Sequence, residues 1–120
     1  VRDPEKLKVL AEARELAFAT YAAIAGFPDA ERFGLISQMR RAAVSVGANI
    51  VEGSHRAGNR AFVAFLHNSL GSVAELRFYI EISAHLGFGQ RAELDALHAR
   101  ATACKKMLAR LISALRRRGD

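Results

Sequence analysis

The sequence predicts an all-α protein: a single domain over residues 1–120, folded as an antiparallel up-down-up-down four-helix bundle. Three observations carry this. The chain is 51% hydrophobic, rich in Ala and Leu, with two prolines and no tryptophan, a composition suited to helices. Four stretches of 22 to 29 residues repeat their apolar positions at spacings of three and four, the period of one helix face. The breaks between them are short, so successive helices must run antiparallel as neighbours. No strand pattern, internal repeat or low-complexity linker competes with this reading.

The first helix is expected from about Pro4 to Ala25. Asp3 can cap it and Pro4 suits its first turn. Its stripe is Leu7, Leu10, Ala13, Ala17, Tyr21 and Ile24. Gly26 ends it and Pro28 opens the next element. The second helix is expected from Asp29 to Arg56, with acids Asp29 and Glu31 in its first turn, where they suit the positive end of the helix dipole. Phe33, Ile36, Met39, Ala43, Val46 and Ile50 form its stripe. The third runs from Asn59 to Leu86 on Phe62, Leu66, Ser69, Val73, Leu76 and Ile80, and Gly87 followed by Phe88 forms a Schellman ending. The fourth runs from Gln90 to Arg118. Leu94, Leu97, Ala101, Cys104, Leu108, Leu111 and Leu115 give it a coiled-coil-like seam. Cys104, the single cysteine, falls on that seam and reads as a small core residue.

One cysteine excludes an intrachain disulfide and fits a reducing, cytoplasmic setting. The charged start VRDPEKLKVL does not read as a signal peptide, and no apolar run approaches the ~20 residues of a membrane span. The net charge of +6 is uneven: residues 88–120 carry eight bases and three acids, while the other three quarters are nearly balanced. On the helical wheel Lys106, Arg110 and Arg117 point away from the leucine seam, with Lys105 and Arg116 on one flank and Arg118 on the other. No acid occurs between Asp95 and Asp120. Such a face attracts polyanions through phosphate contacts that weaken with salt. It has little aromatic interleaving, so base stacking is not expected.

The stretch RRAAVSVGANIVEG, Arg40 to Gly53, is helical by spacing yet built from small and polar residues. Antiparallel pairing about residue 57 matches positions whose numbers sum to about 115. Ala43, Gly47 and Ala48 then face a strip with Ala64, Ser69, Gly71, Ser72 and Ala74, making this the tightest helix pair. Polar groups in so close a contact need partners. The expectation is that Arg40 or Arg41 pairs with Glu75, while Asn49 and Glu52 bond across helices or to the loop backbone.

The same residues carry a resemblance. Phe27-Pro28, Ser37-Gln38-x-Arg40-Arg41-Ala42, Ala48-Asn49-Ile50-x-Glu52-Gly53 and Gly71-Ser72-x-x-Glu75-Leu76 resemble the four-helix bundle family encoded in intervening sequences of 23S ribosomal RNA genes. This S23-like family includes the accessory variability determinant of diversity-generating retroelements. The resemblance spans about Leu7 to Leu115 and is dense from Phe27 to Phe88. It implies a homopentameric barrel and, in the retroelement branch, a basic surface that meets DNA or RNA and a reverse transcriptase. For most members it implies no established activity. Five copies would carry a charge of about +30. Two positions depart from the pattern. Relatives usually place Pro where Gly47 stands, and they often open the third helix with Ser-x-x-Glu, where Gly58 and Ala61 stand here.

Catalytic patterns are missing. The chain has no nucleophile elbow, P-loop or dinucleotide fingerprint. A di-iron bundle needs Glu-x-x-His on two helices. Glu52-x-x-His55 and Asp95-x-x-His98 are available, but the topology separates them by on the order of 25 Å. No enzyme activity, cofactor or metal is expected. The functional expectation is a basic, oligomeric nucleic-acid-binding adaptor whose phosphate contacts are Lys105, Lys106, Arg110, Arg116, Arg117 and Arg118. Arg40, Arg41, Asn49, Glu52, Gly53 and Glu75 are expected to be structural. The alternatives are a protein-interaction scaffold without a nucleic-acid role, and a bundle holding a small ligand or metal near Asn49 and Glu52.

Overall fold

The apolar stripes of four helices close on one another in a computed structural model that describes Asp3 and residues 7–119. The order is α1 (Lys8–Ile24), a 3-10 turn (Asp29–Glu31), α2 (Leu35–Ser54), α3 (Asn59–His85) and α4 (Arg91–Arg118). Each helix packs on the next and α1 packs on α4, so the bundle is four-cornered, with α2 and α3 sharing the largest interface. It measures 46 × 22 × 20 Å. No strand occurs among the described residues.

The α3 stripe is buried as predicted: Phe62, Leu66, Ser69, Val73 and Leu76 have no exposure and Ile80 has 2%. On α4 the seam follows Leu94, Leu97, Ala101, Cys104, Leu108, Ile112 and Leu115, so Ile112 replaces the predicted Leu111. A helix of 3.6 residues per turn drifts away from a strict heptad and carries the seam past Leu111. On α1 the buried line is Leu10, Ala13, Leu16, Thr20, Ala23 and Ile24, and Tyr21 faces outward. Thr20 can be buried because its hydroxyl donates to the Leu16 carbonyl at 2.7 Å. Pro4 lies outside the described residues, but Leu7 is extended and is the N-cap residue, so α1 starts at Lys8, later than expected, and Asp3 does not cap it.

The second helix begins six residues later than expected. Asp29–Glu31 form one tight turn, Gly34 is the N-cap residue, and α2 starts at Leu35. Phe33 therefore leaves the stripe and is 89% exposed, with the Arg32 guanidinium 5.9 Å from its ring centre. The end of α3 is the predicted Schellman motif. Gly87 has φ +77°, Phe88 N–H donates to the Ser83 carbonyl at 3.0 Å, and Gly87 N–H donates to the Ala84 carbonyl at 3.1 Å. Phe88 then packs on Phe27, with ring centres 5.9 Å apart, and closes that end of the core.

The α2–α3 contact has the predicted register and uses Ser69 and Ser72 of the predicted strip, but not its glycines or its alanines on α3. Ser69 donates to the Val46 carbonyl at 2.8 Å, a pair summing to 115. Gly47 faces α1, where an added Cβ would meet only Ala13 and Leu10, at 3.7 and 3.8 Å. Gly71 faces open space, and Ala48, Ala64 and Ala74 are exposed. The close approach is at Gly53, where a Cβ would lie 2.6 Å from Phe65 Cβ and 2.9 Å from Phe62 Cδ1. The helix runs unbroken through Gly47.

Candidate nucleic-acid interface

The Arg40–Gly53 segment forms a hydrogen-bonded seam on the α2–α3 contact. Asn49 Nδ2 donates to the Ser45 carbonyl at 2.9 Å and to Ser45 Oγ at 3.0 Å, and Ser45 Oγ bonds Ser72 Oγ at 2.8 Å. Asn49 thus reaches α3 through Ser45. Glu52 does not cross to another helix. It pairs with Arg56 one turn on, at the end of α2. Arg41 and Glu75 line one groove with Gln38, Ser45 and Ser72. Among the described residues neither Arg40 nor Arg41 forms an ion pair with Glu75, and Glu75 accepts a 3.5 Å bond from the Tyr79 hydroxyl. The expected charge pair is therefore not made within one chain, because both side chains sit on the outer rim where water solvates them.

Lys105, Lys106, Arg110, Arg116, Arg117 and Arg118 are all exposed on α4. None forms an ion pair among the described residues. They divide into two groups. Arg116 to Arg118 form the last turn of α4, whereas Lys105 and Lys106 lie about 16 Å back along the axis. Arg110 lies between, in a groove shared with Lys8 of α1.

Antiparallel packing adds residues that the wheel of a single helix could not show. Asn59, at the start of α3, donates to the Gly119 carbonyl at 2.8 Å and so joins that end to the end of α4. Arg60 and Arg116 flank a cavity of about 380 Å³ over Val63 and Leu115. Arg116 donates to His67 Nε2 at 2.9 Å. Arginine can only donate, so Nε2 is the acceptor. The N-terminus of α1, the end of α2 with Arg56, the start of α3 and the end of α4 share one pole of the bundle. That pole gathers Arg56, Arg60, Arg116, Arg117 and Arg118, with Glu52 held by Arg56. Sequence reasoning missed Arg60 and His67. The signal available was the pairing of α3 with α4, which places residues near 60 beside residues near 118.

The remaining ion pairs lie elsewhere. Glu81 meets His98 at 2.9 Å, Asp95 meets Arg91 at 3.1 Å and Glu12 meets Arg100 at 3.9 Å. Among the described residues no three His, Cys, Asp or Glu side chains converge in a way that could hold a metal. Cys104 is fully buried. Burial, with Glu12 adding and Arg100 opposing, pushes its thiol up to about 11. A thiol held neutral at physiological pH is a core residue and not a nucleophile.

The sequence model for the 23S rRNA-intervening sequence proteins matches residues 5–110. This chain belongs to that family. A crystal structure from Bacteroides thetaiotaomicron VPI-5482, described as a protein of unknown function from the S23 ribosomal protein family, shares the fold. It superposes with a TM-score of 0.78 over 87% of this chain and 97% of that one, at 21% identity. No curated protein matches the chain. No helix among the described residues of this family member is long and apolar enough to cross a membrane.

Proposed function

We propose that this 23S rRNA-intervening sequence protein is a non-enzymatic, self-assembling basic adaptor that binds nucleic acid through its phosphates. The observation that carries the reading is the basic pole with its extension along α4: six exposed cations without ion pairs among the described residues, joined by Arg60 and His67 from α3. A helix face kept basic only for solubility would intersperse acids, and this one has none between Asp95 and Asp120. No aromatic side chain is interleaved with these cations on α4, so binding follows charge rather than base sequence. A nucleic-acid enzyme such as a reverse transcriptase is the partner class that the family resemblance adds, and the homopentamer is the assembly it adds.

The test is fluorescence anisotropy with a labelled single-stranded RNA and a DNA duplex, at about 50 and 200 mM salt. Neutralising a phosphate contact lowers the log–log salt slope by about 0.7 to 0.9. The combined substitution of Arg116, Arg117 and Arg118 by Gln is expected to flatten the slope by about 2 to 3. Absence of binding even at low salt overturns the adaptor reading and leaves a scaffold whose basic face meets an acidic protein. Binding that ignores salt overturns the phosphate mechanism.

A further inference from the structure

The basic pole has an apolar floor that phosphate contact leaves unused. The cavity there lies between the first turn of α3 and the last turn of α4 and measures about 380 Å³, a size suited to a small molecule. Its floor is Val63 and Leu115, core residues whose outer edges are 9% and 3% exposed. They stand level, each four residues in from the Asn59–Gly119 hydrogen bond that joins the two walls at the tip. Each wall supplies one guanidinium, Arg60 from α3 and Arg116 from α4. Arg116 is oriented by its 2.9 Å bond to His67, which lies about 12 Å of helix beyond Asn59. No acid lines the cavity among the described residues.

Two like charges flanking one space favour an anion between them, and a carboxylate accepts paired N–H bonds from a guanidinium. The rest of the lining decides what the anion is attached to. A nucleoside would bring sugar hydroxyls and base edges, which lose water on entry and need polar partners inside. Apart from the two arginines, the polar side chain that the described lining offers is Asn59, whose amide donates to the Gly119 carbonyl. A continuous strand would need a trough open at both ends, and the Asn59–Gly119 bond crosses this one. A hydrocarbon body needs no such partners and gains by leaving water for Val63 and Leu115.

We propose that this cavity is a binding site for a small-molecule carboxylate with an apolar, ring-sized body. The carboxylate sits between Arg60 and Arg116, and the body rests on Val63 and Leu115. The site is complete within one chain and requires neither self-assembly nor nucleic acid.

The test is a titration of methyl-labelled protein with 2-naphthoate, followed by NMR. The expected result is saturable shifts of the Val63 and Leu115 methyl groups. Neutral 2-naphthamide and bare sulfate should each bind at least on the order of tenfold more weakly. Arg60→Gln and Arg116→Gln should each weaken naphthoate on the order of tenfold, whereas Arg91→Gln, at the other end of α4, should leave it unchanged. Both cavity arginines are exposed, so their loss spares the core, which circular dichroism checks. Equal affinity for naphthamide overturns the carboxylate contact, and equal affinity for sulfate overturns the apolar floor. An equal loss in Arg91→Gln reduces the effect to net charge and overturns the site. Absence of shifts at Val63 and Leu115 overturns it as well. None of these results alters the salt-dependent anisotropy of the unmodified chain, which reports the nucleic-acid reading separately.

Discussion

Gly53 and Gly47 lie on the same helix, and the same substitution should move their stabilities in opposite directions. Ala exceeds Gly in helix propensity by about 0.8 to 1.0 kcal/mol at an interior position. At Gly47 the new methyl would sit 3.7 Å from Ala13 Cβ and 3.8 Å from Leu10 Cδ1, ordinary contact distances. Gly47→Ala should therefore stabilise by about 0.5 to 1 kcal/mol. At Gly53 the methyl would sit 2.6 Å from Phe65 Cβ, an atom fixed to the α3 backbone, and 2.9 Å from Phe62 Cδ1, on a side chain with no exposure. Neither can turn away by changing rotamer alone, so α3 must shift. Overpacking of this kind costs about 1 to 3 kcal/mol, and with a rigid neighbour the upper part of that range applies. After subtraction of the propensity gain, Gly53→Ala should destabilise by about 1 to 2 kcal/mol. Urea unfolding followed at 222 nm, at one fixed protein concentration, measures both. The two variants should differ by about 1.5 to 3 kcal/mol, with the parent between them. If Gly53→Ala proves as stable as the parent, the close approach of α3 at this residue is refuted.

Three further outcomes follow from the packing. Ser72→Ala removes the cross-helix partner of Ser45 and should cost about 1 kcal/mol by the same unfolding assay; in an Asn49→Ala, Ser45→Ala background the cost should shrink, because the bonded chain is already broken. Cys104 should resist an aromatic disulfide reagent at pH 8 in the folded protein and react fully in urea, since its thiol is buried and neutral. The raised thiol also sets a pH window. Up to about pH 9 both states hold the proton. Between pH 9 and about 11 the unfolded chain releases it first, so stability falls as pH rises, by at most about 2.7 kcal/mol, and Cys104→Ala should remove that part of the alkaline loss.

The sequence showed four helices and their order plainly because turn residues and apolar periodicity agree in α2, α3 and α4. It was least legible where contrast is low. In α1 small alanines and one threonine share the buried side, so Tyr21 drew the stripe outward although it is 49% exposed. The spacing of Phe33 fits the stripe, whereas Gly34 delays the helix and releases it. The small-residue strip was right about a close contact and wrong about its place: Gly53 makes it, while Gly47 and Gly71 do not. Of the candidate site, the α4 cations could be read from one helix, but Arg60 and His67 join them only through the packing of α3 on α4. The pairing of Arg40 or Arg41 with Glu75 rests on register alone, and register does not say how far a long side chain must reach across a solvated rim.

The meeting of four helix ends at one pole has an electrical consequence. Antiparallel helices cancel most of their backbone dipoles, so the field is set by side chains, and here the positive ones crowd one tip of a body 46 Å long. A molecule charged in this way turns in the field of a polyanion before contact and arrives tip first. Orientation is then settled during approach, which raises the fraction of encounters that succeed.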